Sequence, residues 1–572
     1  MMFRVFRPPQ RRPQLRSEHA IRKKIERGEA LRDTLVARLS ETRRPSTRAR
    51  RPRAFVGTEI ATTVTAAPAM ACSAAALATP VFTTASRPVS RAVSKSSRGV
   101  PDVGGPAARR HPARSLAPRA SADAASAATA ISWPEGAGAA EIGATKATAS
   151  VANLGARGEI ATGLPFLDHM IDQLTSHAQL GVSVVVSRDG VASVPCIDAS
   201  GTDEQDEAVA RAAGAALGQA LAQTLAPGVA AVAAGAAGRA EFAAPLDEAY
   251  STCVLDVARG GAPGSLRFEL APYGPDGSSG RARIGTYKTA LTEPFWSALA
   301  ESANLDVTLL KRRGDNAHHI VEATFKAFAR CTRALMDQIE FEAGSRGSRG
   351  SRDDARLETD ATNDSIEPPP AERRAARKAR ATKETTIDVA VDLDGAASAT
   401  TVVTGIETLD ALLLAMAEEA SFQLNVDASG DLWIDDHHTT EDVAITVGQV
   451  LNEALGSKAG CNRMGRATAK VGDAAVEVIA DLSNRPYLCN GLVFREETIG
   501  DLSAEMVDHL FMSVAANAQM TAHIVRADPG AGDEADVAEA AARAFGKCLK
   551  QCVALDPRRA GAVASSKGTL SV

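Results

Sequence analysis

Two polarity rhythms alternate along the chain from about residue 140 onward. Leu180-Gly-Val-Ser-Val-Val-Val-Ser187 and Thr386-Ile-Asp-Val-Ala-Val-Asp-Leu393 are short β-branched runs with the two-residue alternation of strands. Glu207 to Leu225 and Val443 to Leu455 carry apolar residues at helical spacing in an Ala-rich background and read as amphipathic helices. The segments run strand, strand, helix, strands, helix. That order predicts an α+β fold with helices on one face of a sheet.

The pattern occurs twice. Thr162-Gly-Leu-Pro-Phe-Leu-Asp-His169 lies over Thr404-Gly-Ile-Glu-Thr-Leu-Asp-Ala411, and Leu217-Gly-Gln-Ala-Leu221 over Val447-Gly-Gln-Val-Leu451. Pro294-Phe-Trp-Ser-Ala-Leu-Ala300 lies over His509-Leu-Phe-Met-Ser-Val-Ala515, and Glu322-Ala-Thr-Phe-Lys-Ala-Phe328 over Glu539-Ala-Ala-Ala-Arg-Ala-Phe545. Two homologous tandem repeats are therefore expected, at 140–342 and 379–572. Between them, 343–378 holds Gly344-Ser-Arg-Gly-Ser-Arg-Gly-Ser-Arg352, then acids, then Pro368-Pro-Pro370. Such a stretch cannot build a core and predicts a flexible linker.

Composition separates off the amino-terminal quarter. Residues 1–135 are rich in Arg, Ser, Ala and Pro and poor in acids, as in Arg48-Ala-Arg-Arg-Pro-Arg53. That is the composition of an organelle transit peptide with a disordered basic extension, plastid (chloroplast stroma) being the favoured destination. A basic arm for RNA or an acidic partner is the competing account. The net charge of −5 over 572 residues gives no case for nucleic-acid binding by the whole chain. The eight cysteines are scattered without a CxxC, which suggests reduced core thiols. No run of eighteen apolar residues predicts a membrane span.

Chemistry concentrates in two clusters. In Asp435-Asp-His-His-Thr-Thr-Glu441, His437 and Glu441 are four apart and share a helix face, with His438 turned away between them. Asn316-Ala-His-His-Ile-Val-Glu322 repeats the relation with His318, His319 and Glu322. A lone HH pair suits a solvated helix start. Two HHxxE clusters suit a dinuclear metal site built from imidazoles and carboxylates.

With Phe166-Leu-Asp-His-Met-Ile-Asp-Gln-Leu174, Asn484-Arg-Pro-Tyr487, Asp508-His-Leu-Phe511 and Ser565-Ser-Lys-Gly568, these clusters resemble imidazoleglycerol-phosphate dehydratase of histidine biosynthesis. The resemblance spans 140 to 570, twice over. It implies that each repeat is two similar halves with helices packed between four-stranded sheets. It also implies paired Mn²⁺ ions at subunit interfaces and a homo-oligomer of about twelve fused chains, equivalent to the family's roughly 24 domains.

The chain departs from the family in an orderly way. Repeat 1 keeps His169 and the His318, His319, Glu322 cluster, but has Glu207, Ala208 and Arg211 opposite His437, His438 and Glu441, and Pro294 opposite His509. Repeat 2 has Ala411 opposite His169, and Ala535 and Asp536 opposite His318 and His319, while Glu539 survives opposite Glu322. Each of the six histidine slots is filled once, whereas simple decay would leave some filled twice and some empty. Of the other four histidines, His19 and His111 lie in the targeting region, and His177 and His523 fall outside the ligand pattern.

The helical grouping together with the resemblance implies one metal on His169, His318, Glu322 and His438, and a second on His319, His437, Glu441 and His509. Nitrogen and oxygen donors without thiolate favour Mn²⁺. The metals would act as Lewis acids and as a template for water loss from imidazole glycerol phosphate, a hydro-lyase reaction giving imidazole acetol phosphate. Glu322, Glu441, His319 and His438 are the catalytic ligands in this reading, and Glu384, opposite Ala147, would move the carbon-bound proton. Lys326, Arg463, Arg485, Ser566 and Lys567 would hold the phosphate, with Gln173 as a weaker contact. The competing expectations are a noncatalytic metal-binding scaffold and a different metal-assisted lyase or isomerase. Both intrachain and interchain sites are compatible with the linker's length.

Overall fold

The computed structural model describes residues 131–258, 262–345, 373–528, 530–559 and 561–570. The expected targeting segment lies outside these residues up to 130, as do residues 346–372 of the expected linker. The linker's expected ends are regular structure, since a helix runs to Ser345 and a strand begins at Ala375. Alternating Ala and basic residues in 375–381 extend that strand against Thr386–Asp392, which draws these positions into the second repeat.

One six-element module recurs four times. The first holds β1 (Gly136–Ile142), β2 (Thr145–Asn153), β3 (Ile160–Ala161), α1 (Pro165–Ala178), β4 (Leu180–Arg188) and α2 (Asp203–Ala233). The second holds β5 (Arg239–Leu246), β6 (Ala249–Val257), β7 (Leu266–Glu269), α3 (Thr292–Ala303), β8 (Leu305–Arg313) and α4 (Ala317–Ser345). The third holds β9 (Ala375–Ala381), β10 (Thr385–Asp392), β11 (Thr401–Val403), α5 (Glu407–Ala420), β12 (Gln423–Gly430) and α6 (His437–Leu455). The fourth holds β13 (Met464–Val471), β14 (Ala474–Asp481), β15 (Tyr487–Asn490), α7 (Ala504–Asn517), β16 (Thr521–Arg526) and α8 (Glu534–Val553).

Every module forms the same mixed sheet, ordered first, second, fourth, third strand, and the short pair partner Val191–Ala192 adds a fifth strand to the first sheet. The third and fourth strands are parallel, so the helix between them is the crossover that a parallel pair requires. The first helix of each module stops at a non-glycine residue in the left-handed region: Gln179, Asn304, Ser421 and Gln519, with φ between 54° and 57°. The fold is thus α+β, two tandem homologous domains, each of two similar halves.

Helices pair across modules between the sheets, α2 with α3 and α1 with α4 in the first repeat, α6 with α7 and α5 with α8 in the second. Small residues allow close crossing. A Cβ on Gly214 of α2 would lie 2.3 Å from the Phe295 carbonyl oxygen of α3, and one on Gly448 of α6 would lie 2.7 Å from that of Val514 on α7. Helix α2 is long and apolar enough to cross a membrane by length and composition. Its Ala, Leu and Gly residues nevertheless face the core of the first repeat, where Val209, Ala213, Leu217 and Leu221 are buried. Each repeat has its own apolar core.

The repeats meet along a seam. Ala243, Tyr250 and Ile479 bury against one another with Val525. Arg466 pairs with Glu241 at 2.8 Å, Arg558 with Asp337 at 2.6 Å, and Arg485 with Asp247 at 2.7 Å.

Candidate functional site

The motif Thr-Gly-x-x-x-Leu-Asp that marks both repeats is a backbone staple. Thr162 donates its backbone N–H and its hydroxyl to Asp168 Oδ1, at 2.8 and 2.6 Å, and Thr404 does the same to Asp410 at 2.9 and 2.7 Å. In the first repeat this fixes the start of α1 and the next residue, His169. The first turn of α4 carries the other ligands, because Asn316 Oδ1 accepts the His318 N–H at 2.9 Å and so sets the helix entry.

His169, His318 and Glu322 converge. One ligand atom from each lies within 4.8 Å of the others, the single such group of three or more among the described residues. His318 Nε2 is 2.9 Å and His169 Nε2 3.7 Å from Glu322 Oε2. The other oxygen, Oε1, accepts Lys326 Nζ at 2.9 Å. Burial works to raise the Glu322 pKa, but Lys326 and the hydrogen bonds from both histidines outweigh it and hold the carboxyl well below its ordinary value. One oxygen is therefore neutralised by an ammonium while its ionised partner faces two imidazoles. Two nitrogens and a carboxylate oxygen at this spacing fit a divalent ion of the Mn²⁺ type.

The second cluster assembles at the start of α6. His437 Nε2 is 3.9 Å from Glu441 Oε2, and the His437 ring lies 5.0 Å from that of His509 on α7, tilted 58° to it. Among the described residues, no hydrogen bond, ion pair or ring contact joins this group to the first.

The middle histidine of each pair is treated alike. His319 Nδ1 lies 2.7 Å from Glu248 Oε2, and His438 Nδ1 lies 3.2 Å from Asp431 Oδ2. Asp431 raises the His438 pKa, with Glu384 adding a smaller push, so Glu384 stands in the field of that ring. A carboxylate on Nδ1 fixes the ring and leaves Nε2 as the outward donor, the second-layer arrangement of ligating histidines. Sequence reasoning missed Glu248 and Asp431, which reach the rings from the β5–β6 turn and the end of β12.

Beside Glu322 opens a cavity of about 310 Å³ shared by the two repeats. The first repeat supplies Asp247, His318, His319, Glu322, Lys326 and His177, and the second supplies Arg463, Ser483, Arg485 and the tail Ser565, Ser566, Lys567, Thr569 and Leu570. The residues of the second metal cluster do not line it. Arg463 is gripped by Asp481 at 2.6 and 2.8 Å and donates to the Ala564 carbonyl at 2.6 Å. Arg485 Nη2 and His177 Nε2 are buried without a hydrogen-bond partner. Burial, then the nearby Arg463 and Lys326, pull the His177 pKa well below its usual value, so the ring is neutral. Two orphaned polar atoms beside four cations suit a bound oxyanion.

His177 was set aside on sequence because it falls outside the ligand pattern. Gln173 is the reverse case. It is fully buried, its amide donates to the His169 carbonyl at 3.1 Å, and it stands outside the cavity wall, because α1 turns this position inward. The counterpart of Glu384 also shifts. Thr145 and Thr385 both open their strands as buried residues opposite the end of the neighbouring strand, which sets Ala144 rather than Ala147 opposite Glu384.

The imidazoleglycerol-phosphate dehydratase family model matches the chain twice, over residues 162–332 and 404–549. The chain is 42% identical over 197 residues to the imidazoleglycerol-phosphate dehydratase of Microcystis aeruginosa, covering 34% of this chain and 93% of that one. It is 43% identical over 193 residues to the chloroplastic imidazoleglycerol-phosphate dehydratase 1 of Triticum aestivum, covering 34% and 70%. The crystal structure of the enzyme from Staphylococcus aureus superposes with a TM-score of 0.29 at 27% identity, covering 32% of this chain and 99% of that one.

Proposed function

We propose, on the premise that the chain belongs to the imidazoleglycerol-phosphate dehydratase family, that it carries one dinuclear site per chain, divided between repeat 1 and repeat 2. The chain is an enzyme, a hydro-lyase acting on imidazole glycerol phosphate in histidine biosynthesis. What supports the division is the carboxylate that holds Nδ1 of the middle histidine in each cluster, Glu248 on His319 and Asp431 on His438. His169, His318 and Glu322 would form one three-ligand set, and His437 and Glu441, with the His509 ring 5.0 Å from that of His437, would form the other. His438 and His319, each pinned through Nδ1, supply the fourth ligand to the opposite set.

When bound, the two Mn²⁺ ions would supply Lewis acidity and orientation for loss of water to give imidazole acetol phosphate. The protein's own residues do the rest. Arg463, Arg485, Lys326, Ser566 and Lys567, with His177, take the phosphate in the shared cavity and set the reach of the substrate toward Glu322. Glu384, exposed on the β9–β10 hairpin beside His438, moves the carbon-bound proton. A noncatalytic scaffold has no use for such an anion cavity.

The second metal set does not line that cavity, so the site closes between chains, in a homo-oligomer of about twelve fused chains. The wheat relatives are named chloroplastic, and the Arg- and Ser-rich amino-terminal segment supports delivery of this chain to the plastid stroma. The domain limits follow the same reading: targeting segment 1–135, then repeats joined by the Gly-Ser-Arg linker.

The test is complementation. Chains carrying His318→Ala are co-assembled with chains carrying His437→Ala, each inactive alone. Random pairing joins an intact first half to an intact second half in about a quarter of sites, so about a quarter of wild-type activity should return. No recovery from mixed assemblies would overturn the interchain reading.

A further inference from the structure

The carboxy-terminal tail meets the anion cavity as a short loop tied at both ends. Its near end is anchored where the Gly460 N–H donates to the Ala562 carbonyl at 3.0 Å and Arg463 Nη1 donates to the Ala564 carbonyl at 2.6 Å. A turn follows, with Ser565 Oγ donating to the Thr569 carbonyl at 3.0 Å and the Gly568 N–H to the Ser565 carbonyl at 3.1 Å. At the far end Asn484 Nδ2 donates to the Leu570 carbonyl at 2.6 Å. Between the two ties stand Ser566 and Lys567, which face the cavity.

Asn484 is held ready for this contact. Its φ of 56° is left-handed, a conformation Asn tolerates better than most side chains. Its backbone N–H donates to the Gln519 carbonyl at 3.0 Å, and Lys458 Nζ donates to its Oδ1. Lys458 is 2% exposed, and burial pulls its ammonium down to about 8. Among the described residues, that amide oxygen is the hydrogen-bond acceptor of the ammonium. With the oxygen engaged by Lys458, the amide can present only its N–H groups to the tail. Lys458 thereby fixes the flip state of the amide.

We infer that Asn484 and Lys458 form a latch that positions the tail over the phosphate end of the substrate, so that both are positioning residues for phosphate binding. The inference rests on the assignment of the shared cavity to phosphate. A loop pinned at 564 and 570 presents Ser566 and Lys567 in one geometry. Freed at 570, the same groups must be ordered by the ligand itself, which weakens binding.

Two substitutions separate the latch from the backbone. Asn484→Gly keeps the left-handed conformation and loses both side-chain contacts. Asn484→Asp also tolerates that conformation and keeps an acceptor for Lys458, but sets a carboxylate oxygen against the Leu570 carbonyl. Both should raise KM for imidazole glycerol phosphate, and the inhibition constant of inorganic phosphate, by about five- to tenfold, the weight of one or two lost hydrogen bonds. The value of kcat should stay within about twofold and metal content should hold, because α4 and α6 are untouched; the urea midpoint should hold in the Asp variant, which keeps an acceptor for Lys458, and fall in the Gly variant, which leaves that buried ammonium unpaired. Cleavage after Lys567 by a trypsin-like protease should accelerate, and inorganic phosphate should slow it in wild type. Wild-type inhibition by phosphate with unchanged constants in both variants would overturn the latch. So would an Asp variant that behaves as wild type. Failure of phosphate to inhibit or protect the wild type would instead overturn the phosphate assignment.

Discussion

Acid should loosen the seam between the repeats through one imidazole. His523 on β16 is fully buried, and its Nε2 donates to the Asp247 carbonyl of the first repeat at 2.8 Å, while Nδ1 has no partner. The ring sits 5.0 Å from that of Tyr250 across the seam. Protonating Nδ1 would bury an unpaired cationic N–H, and burial accordingly lowers the pKa to about 4, the Asp247 hydrogen bond opposing it. An unfolded histidine titrates near ~6.5. The folded value lies below the unfolded one, so the unfolded chain takes the proton first. The stabilisation is present above ~6.5 and is lost as pH falls toward 4. Linkage puts the loss at about 2 kcal/mol between pH 8 and pH 5, rising to about 3 kcal/mol at pH 4. His523→Gln keeps an amide donor for the Asp247 carbonyl and carries no titrating group. Urea unfolding of metal-free protein, at one protein concentration and at pH 8, 6 and 5, measures both chains, and their difference cancels every other titration. Wild type should lose about 2 kcal/mol more than the variant over that range. Parallel pH curves would refute the reasoning.

Three further outcomes follow from the same geometry. Lys567→Ala should raise KM about tenfold, as loss of one charge-assisted contact to phosphate would, and leave metal content unchanged, since Lys567 touches no ligand; metal analysis beside steady-state kinetics checks this. Purified active protein should hold two tightly bound metals per chain, and His318→Ala or His437→Ala should each cost more than about a hundredfold in activity; four metals per chain would refute the divided site. Gly448→Ala should destabilise the second repeat by about 1–3 kcal/mol, because the added methyl meets the Val514 carbonyl at 2.7 Å and forces α6 off α7; the urea midpoint reads it.

The tandem repeat and the two HHxxE clusters were legible because both rest on local spacing. HHxxE puts three donors on one helical turn wherever that helix goes, and Thr-Gly-x-x-x-Leu-Asp marks a staple closed within seven residues. The fourfold module was less legible, since its recurrence is one of strand order and crossover helix rather than of matching residues. The carboxylates that pin His319 and His438 belong to turns, and Glu248 is 71 residues from the ring it fixes. The cavity is a tertiary product of both repeats: Arg485 and Asp247, 238 residues apart, form its seam. Strand phase explains the shift from Ala147 to Ala144. The first hairpin turns in two residues and the second in four, so matching letters across the loop miscounts the pleat.

What fills the vacated slots bears on how the division is maintained. Glu322 spends one oxygen on Lys326 and turns the other to two histidines. Glu539, its counterpart, has no histidines to face and instead pairs with Arg543 at 2.8 Å, the same guanidinium reaching Glu419 at 3.2 Å. In the first repeat, Glu207 and Arg211 stand where His437 and Glu441 would be and pair at 2.8 Å on consecutive turns of α2. Exposed i, i+4 pairs of this kind contribute about 0.3–0.5 kcal/mol, too little to hold the fold. They matter as neutralisation. A half-site stripped of its metal but left with its carboxylate would present uncompensated negative charge. An arginine one turn away cancels that charge without restoring a ligand. Both vacated halves have reached this state by different residues, one by keeping the glutamate with a cation at the position of Lys326, the other by replacing the glutamate with the cation. A decaying copy is under no such constraint. A face that meets a neighbour in the proposed assembly is.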